Sequence, residues 1–202
     1  MGERIGIIGA GRVGGALGRA WAALGHDVRF GARRPRAGQA ADRVGVAEAA
    51  RFGDVLVLAT PWPAAKDALA ACGGLAGKIL IDCTNPLVMG PEGLALALGH
   101  ATSGGEQVAA WAAGAATFKT LNHVGFESMG GALFAAARPC QFVAGDDAAA
   151  KPRVMALVEA LGFQAIDAGP LRAARLLEPL ALLWIEAARS QGRTSAFALL
   201  RR

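Results

Sequence analysis

The chain places a glycine cluster, residues 9–14 (GAGRVG), directly after the short apolar run of residues 4–9 (RIGIIG). Gly9, Gly11 and Gly14 have the G-x-G-x-x-G spacing. In that motif the first glycine permits a tight turn, the second lets the backbone approach a pyrophosphate, and the third lets a helix pack close to the strand. The helix N-terminus then faces the anion. The alternative is a tight strand-to-helix turn without a ligand. The residues predicted to bind a dinucleotide here are Gly9, Gly11, Arg12, Val13 and Gly14.

Arginines follow the second apolar run, where many dinucleotide sites carry an acid. An NAD site commonly places Asp or Glu about 20 residues downstream, to bind the ribose 2′-hydroxyl. Here Arg33 and Arg34 occupy that place, with Arg36 close behind, and Asp27 stands at the wrong end of the run. A guanidinium can bind a 2′-phosphate through two parallel charged hydrogen bonds, whereas a carboxylate would repel it. Arg33 and Arg34 are therefore predicted to clamp NADP; a solvated basic loop is the alternative.

The residues for acid–base chemistry are few. The chain has no tyrosine, which excludes the Tyr-x-x-x-Lys dyad of short-chain dehydrogenases. Lys119-x-x-Asn122 is one residue shorter than the Lys-x-x-x-Asn of β-hydroxyacid dehydrogenases. His123 follows a predicted strand, and both a structural role and a contact with cofactor or substrate stay open for it. Hydride exchange between two redox rings needs positioning more than proton handling, and it suits this set better.

Alternating strands and helices must position these residues. The pattern predicts an α/β fold of the Rossmann type, with a doubly wound, mainly parallel sheet and a small C-terminal α/β extension that ends in a long helix. Ser103 and Glu106 form a capping box at the start of one helix, and residues 87–102 are predicted to be a loop. We expect an NADP-binding domain over residues 1–118 and a C-terminal part over 119–202, which completes the crevice. The predicted strands are 4–9, 26–32, 54–61, 78–86, 116–122, 140–146 and 163–169, and the predicted helices are 11–25, 61–74, 105–114, 147–162 and 170–189.

Composition narrows the class of protein. The 202 residues carry 21 basic and 16 acidic side chains, and the net charge of +5 is scattered without a basic block. Nucleic-acid binding is therefore not expected, since phosphate tracking needs a clustered footprint. No apolar run reaches the ~18 residues of a membrane span. The N-terminus lacks the basic start of a signal peptide, so we expect a cytoplasmic protein without metal, with Cys72, Cys83 and Cys140 as buried reduced thiols.

Several motifs together resemble one family. They are residues 9–34, DVLVLATPWPAA, DCTNPL, the Ser-x-x-Glu opening, VAGDD and DAGPLRAARLLEPLA. Over nearly its full length the chain resembles the NADP oxidoreductases that use the deazaflavin coenzyme F-420, and related dinucleotide-binding reductases. The resemblance implies that Arg33 and Arg34 bind the phosphate, although Ala32 replaces the family's serine. It also implies that Thr60, Pro61 and Trp62 lie along the dinucleotide, and that Asn85 and Pro86 line the nicotinamide and its redox partner.

Three functions are consistent with these residues. The first is hydride transfer between NADP(H) and a deazaflavin or flavin acceptor, and the second is reduction of a small carbonyl or imine compound. The third is NADP binding without turnover. The leucine-rich last helix and the resemblance predict a homodimer. In that helix Arg175 and Glu178 are three residues apart and are predicted to pair with each other.

Overall fold

The structure, a computed structural model, describes residues 2–33, 42–130, 134 and 137–200. Its strands are β1 (Arg4–Ile8), β2 (Asp27–Ala32), β3 (Arg43–Gly45), β4 (Val55–Leu58), β5 (Ile79–Asp82), β6 (Leu87–Gly90), β7 (Gly93–Leu96), β8 (Ala116–Lys119), β9 (Cys140–Gly145) and β10 (Gln164–Asp167). Its α-helices are α1 (Arg12–Ala23), α2 (Val46–Phe52), α3 (Ala65–Ala70), α4 (Gly104–Trp111), α5 (Lys151–Ala160) and α6 (Ala174–Gln191). Short 3₁₀ turns cover Trp62–Ala64, Phe126–Ser128 and Leu171–Ala173.

Eight strands form one sheet in the order β10-β9-β8-β5-β4-β1-β2-β3. Neighbouring strands run parallel except β8 and β9, which are antiparallel. The predicted Rossmann-type, mainly parallel sheet is therefore confirmed, as is the long C-terminal helix. The chain order reverses between β1 and β4, and in open α/β sheets ligands bind beside such a switch point, at the carboxyl ends of the strands.

Helices cover both faces of the sheet, and this explains the continuous apolar runs of its central strands. In β4, Val55 and Val57 pack toward one face while Leu56 and Leu58 pack toward the other, and none of the four is exposed. Strands buried on both faces read as unbroken apolar sequence rather than as an alternating one. The central strands are thus packed on both faces, and the carboxyl ends of β1, β2, β4 and β5 lie along one edge of the sheet.

A two-stranded hairpin, β6 with β7, stands apart from the main sheet. It corrects the prediction that residues 87–102 form a loop. Gly93 adopts a φ of +114° at the turn, and β7 packs against α6. The glycine and proline content of the segment does mark a turn, but its flanking strands have only four residues each and gain their stability from the helix.

The C-terminal part is joined to the rest through the main sheet. β8 pairs with β5 on one side and with β9 on the other, so the sheet continues across residues 118 and 119. After α6 the chain returns to this region, where the backbone N–H of Cys140 donates to the carbonyl of Phe197 at 2.8 Å. The three cysteines are buried and not disulfide-bonded, as predicted. Among the described helices, none has the length and hydropathy of a membrane span.

Candidate functional site

The glycine turn between β1 and α1 is shaped by two close approaches. Gly9 has a φ of +110°, and a methyl group on it would lie 2.6 Å from the carbonyl oxygen of Ala59. A methyl group on Gly14 would collide with the carbonyl oxygen of Gly9 and lie 2.8 Å from a side-chain carbon of Ile7. Gly11 is different, because its φ of −77° suits any residue and a methyl group there would meet nothing within 4 Å. Gly11 therefore faces open space at the start of α1.

The start of α1 is available to an anion. Gly11 caps the helix without a side-chain hydrogen bond, and no acidic residue lies in the first turn. The first N–H groups of a helix, here those of Arg12 and Val13 among others, have no partner within the helix and carry its positive dipole end. Such a terminus binds phosphate.

A cleft of about 400 Å³ opens beside this turn, at the carboxyl ends of β1, β2 and β4. A cleft of about 450 Å³ lies elsewhere, at the amino end of β8, but the glycine turn does not line it. Gly9, Gly11, Arg33, Thr60 and Pro61, which the sequence suggested, all line the 400 Å³ cleft, whereas Arg34 lies outside the described residues. The full lining consists of Ile8, Gly9, Ala10, Gly11, Gly31, Ala32, Arg33, Arg43, Val46, Ala59, Thr60, Pro61, Ala64, Asp67, Ala68 and Ala71.

Two charged residues of this cleft were missed by sequence reasoning. Arg43 comes from β3, which pairs with the end of β2, and Asp67 comes from α3. No pattern around either residue marks it, because only the order of the strands brings them to the cleft. Thr60 also indicates a ligand site, because its buried hydroxyl oxygen has no hydrogen-bond partner among the described residues. A glycine turn at a helix N-terminus, two arginines and a hydroxyl oxygen with no partner among the described residues meet in one cleft, and this set fits NADP.

The loop after β5 is tied to the loop after β8 by a pair of amides. The Asn85 side chain donates to the carbonyl of Asn122 at 2.8 Å, and the Asn122 side chain donates back to Oδ1 of Asn85 at 3.0 Å. Asn122 also donates to the carbonyl of Leu177 at 2.9 Å. The half-buried Asn85 and the buried Pro86 are therefore held in place by both β8 and α6.

A buried lysine lies beneath these loops. Nζ of Lys119 contacts Asp82 and Glu178, each at 2.9 Å, and the carbonyl of Thr84 at 2.6 Å. The side chains of all three charged residues are at most 1% exposed. Burial alone would lower the pKa of Lys119, but the charges of Asp82 and Glu178 outweigh it and raise the pKa above its usual value. Lys119 therefore stays charged and holds the β5 loop in shape.

Glu178 corrects the predicted pairing within α6. Its carboxylate accepts the backbone N–H groups of Gly104 and Gly105, each at 2.9 Å, at the start of α4. Arg175 instead donates to both carboxylate oxygens of Glu106, at 2.7 and 2.8 Å. A helix N-terminus and a buried ammonium together stabilise Glu178 more than an exposed neighbour three residues away could. Glu106 also takes part in the predicted cap, since its N–H donates to Oγ of Ser103 at 3.1 Å.

Trp62 and His123 lie beside the strand-end loops, each against another aromatic ring. The half-buried Trp62 packs against Trp111 of α4, with ring centroids 5.4 Å apart. His123 is fully buried, and its ring centroid lies 5.7 Å from that of Phe142. Burial lowers the pKa of His123 to about 4, so its imidazole is neutral at pH 7.

Comparison with known proteins agrees with this geometry. Residues 4–86 match the family described as NADP oxidoreductase, coenzyme F-420-dependent. The crystal structure of a candidate F-420-dependent NADP reductase from Arthrobacter sp. FB24 is 34% identical, with a TM-score of 0.90, and the match covers 99% of this chain and 100% of that one.

More distant structures share the fold. A hypothetical protein from Sinorhizobium meliloti is 24% identical, with a TM-score of 0.74, over 86% of this chain and 88% of that one. A reductive aminase from Aspergillus terreus, in complex with NADPH and ethyl levulinate, is 19% identical, with a TM-score of 0.65. That match covers 95% of this chain but 63% of the aminase.

The fold and the full-length similarity define an NADP-dependent oxidoreductase of the Rossmann class. Within that class, the chain belongs to the family of coenzyme F-420-dependent NADP oxidoreductases.

Proposed function

We propose that this oxidoreductase transfers hydride between NADP(H) and a flavin-type ring acceptor, with the deazaflavin F-420 as the preferred one. The observation that carries the proposal is the state of Lys119 and His123 beside the strand-end loops. Lys119 is enclosed and holds its proton, with all three N–H bonds directed at acceptors. His123 is buried and neutral. Neither is suited to protonate the product of carbonyl or imine reduction, and a ring acceptor can take its proton from water.

The binding residues follow from the cleft. We propose that Gly9, Gly11 and the first residues of α1, Arg12 and Val13, hold the pyrophosphate, that Gly14 lets α1 lie close enough to β1 for this, and that Arg33 and Arg43 hold the 2′-phosphate. Arg34 is proposed as a third cation from its position in the sequence. Neither Arg33 nor Arg43 forms an ion pair with the described part of the chain, so both are free to bind an anion.

The acceptor side of the site is proposed to be built from the loops after β4 and β5. Thr60 and Pro61 lie along the dinucleotide, and Asn85 and Pro86 border the nicotinamide. Bound NADPH supplies the hydride, and the overall exchange is NADPH, acceptor and a proton giving NADP⁺ and reduced acceptor. The protein would contribute the relative position of the two rings, and the Asn85–Asn122 amide pair supports this role because it holds the loop after β5 against the loop after β8. Trp62 supports the loop through its packing on Trp111.

The test follows NADPH absorbance while acceptors are added one at a time. We expect oxidation with F-420, slower oxidation with free flavins, and none with simple ketones, 2-oxo acids or cyclic imines. Gly11→Val serves as the control, because the Cβ at this position enters open space next to the cleft and the larger side chain should block cofactor binding. Turnover of an imine or ketone without any reaction toward flavin-type rings would overturn the proposal and establish the second function considered above.

The proposed assembly is a homodimer through α6. Leu176 and Leu183 are 72% and 59% exposed on that helix, and Leu176 borders an apolar cleft of about 360 Å³ together with Leu180 and Phe142. Large exposed apolar side chains next to an apolar cleft are typical of an interface. We propose that residues 119–202 supply it while residues 1–118 hold NADP. Light scattering at micromolar concentration is expected to give twice the chain mass, and Leu176→Glu is expected to give a monomer; a monomeric wild type would refute the assembly.

The compartment is proposed to be the cytoplasm. Cys72, Cys83 and Cys140 are all buried as free thiols, which is usual where glutathione and thioredoxin keep thiols reduced.

A further inference from the structure

The NADP cleft has a wall that plays no part in the proposed binding of phosphate by Arg33 and Arg43. One wall of the cleft comes from α3 and its flanking turns, and three of the four residues there are alanines: Ala64, Ala68 and Ala71. The fourth residue is Asp67, which is exposed, and its carboxylate makes no ion pair or hydrogen bond with the described part of the chain. The side chains on this wall are therefore three methyl groups and one carboxylate.

The covalent structure of NADP decides what can reach this wall. The adenine is attached to the ribose carbon next to the one that carries the 2′-phosphate. If Arg33 and Arg43 hold that phosphate, the base must lie within a few ångströms of them, in the same cleft. The cleft lies between these arginines and α3, so a planar base fits against the alanine wall. This step rests on the proposed binding of NADP.

We infer that Asp67 recognises the 6-amino group of adenine and makes the enzyme selective for adenine dinucleotides. A carboxylate is only an acceptor, so it can take a hydrogen bond from the amino group of adenine. Hypoxanthine carries a carbonyl oxygen at the same position, and two acceptors facing each other repel. The alanine methyl groups orient the ring, and the Asp67 carboxylate accepts a hydrogen bond from its 6-amino group.

Asp67 could instead serve only to stabilise α3, and this structural role predicts a different result. Asp67 lies in the first turn of α3, where a negative charge stabilises the helix dipole. In that role its removal would lower the stability of the protein slightly and would affect every dinucleotide alike. Selectivity for the base is a readout that the helical role does not change.

The experiment measures the affinity of NADP⁺ and of its deamino analogue, which carries hypoxanthine, by isothermal titration calorimetry. The wild type is expected to bind NADP⁺ about tenfold more tightly, as befits a hydrogen bond to a charged acceptor in an open cleft. Asp67→Ala should lower the affinity for NADP⁺ and remove the repulsion toward the analogue, so that the variant binds the two dinucleotides equally. Asp67→Asn provides a donor as well as an acceptor, so it should bind the analogue more tightly than the wild type does.

The control is Asp27→Ala, which removes an exposed carboxylate from the far end of β2 and should change neither affinity. Equal wild-type affinities for the two dinucleotides would overturn the inference about Asp67 alone. So would an Asp67→Ala variant that weakens both equally. No binding of NADP⁺ to the wild type would overturn the proposed function and this inference with it.

Discussion

Arg33 and Lys119 are both cations at the carboxyl ends of strands in the same sheet, but their surroundings differ. Lys119 has no exposed surface and directs its ammonium at two carboxylates and a carbonyl. Arg33 is exposed, and it lines a cleft with Arg43 where no carboxylate of the described chain pairs with either. A cation whose partners all come from its own chain fixes structure. A cation without such partners is free to bind a ligand.

The two regions should therefore respond oppositely to substitution. Removal of Lys119 leaves the charges of Asp82 and Glu178 buried without a cation, so the free energy of unfolding should fall. Removal of Arg33 exposes nothing and breaks no ion pair of the described chain, so only ligand affinity should change.

Lys119→Ala is expected to lower the free energy of unfolding by about 3–5 kcal/mol, because one partner of a buried ionic network is lost. Urea denaturation followed by circular dichroism measures the loss. The matched control is Lys151→Ala, which breaks a pair with the 52% exposed Asp167. That control should change stability by about 1 kcal/mol or less. Similar small losses in both variants would contradict the structural role of Lys119.

The glycine turn offers the same contrast between neighbouring positions. Gly14→Ala places a methyl group against the carbonyl oxygen of Gly9, and it should destabilise the fold by about 3 kcal/mol through overpacking. Gly11→Ala meets nothing in the protein and should change stability by about 0.5 kcal/mol or less. Gly11→Ala should nevertheless weaken NADP binding. Thermal melts and cofactor titrations of both variants separate the two roles, and a fold as damaged by Gly11→Ala as by Gly14→Ala would refute the assignment.

His123 predicts a pH dependence of stability. Its pKa in the folded protein is about 4, against an ordinary value of 6.5, so the unfolded chain binds more protons between these values. Stability should then fall as the pH is lowered through this window, by about 2 kcal/mol between pH 6.5 and pH 5. Denaturation midpoints across that range measure the slope.

The control for this slope uses two histidine variants. His123→Gln should remove most of the slope, although it will also change stability at pH 7. His100→Gln, at an exposed site, should leave the slope intact. An unchanged slope in His123→Gln would show that other groups cause it.

Local patterns in the sequence predicted local structure well. The strand before Gly9, the helix that starts after Gly11 and the Ser103 cap all depend on contacts between near neighbours, and all are present. The buried central strands were also predicted, since an unbroken apolar run such as residues 55–58 has few alternatives in an α/β chain.

Contacts between distant elements could not be predicted in the same way. Arg43 and Asp67 reach the cleft only because β3 adds to the edge of β2 and α3 follows β4, and the short β3 has no clear sequence pattern. Glu178 pairs with Lys119, which lies 59 positions earlier in the sequence. Spacing within the helix predicts only the local pair of Glu178 with Arg175, three residues away. The order of strands determines which strand ends meet, and the sequence predicted the strands without their order.

The most direct test of the contrast is the affinity of the wild type and of Arg33→Ala for NADPH and for NADH. The wild type should prefer NADPH. Arg33→Ala should lose most of that preference, which for one charged contact in an open cleft is roughly tenfold. The variant's stability and its affinity for NADH should stay unchanged. The control Arg29→Ala, whose guanidinium lies over Phe52 outside the cleft, should keep the wild-type affinities for both cofactors. Equal binding of NADPH and NADH by the wild type would show that the unpaired arginines do not serve a 2′-phosphate.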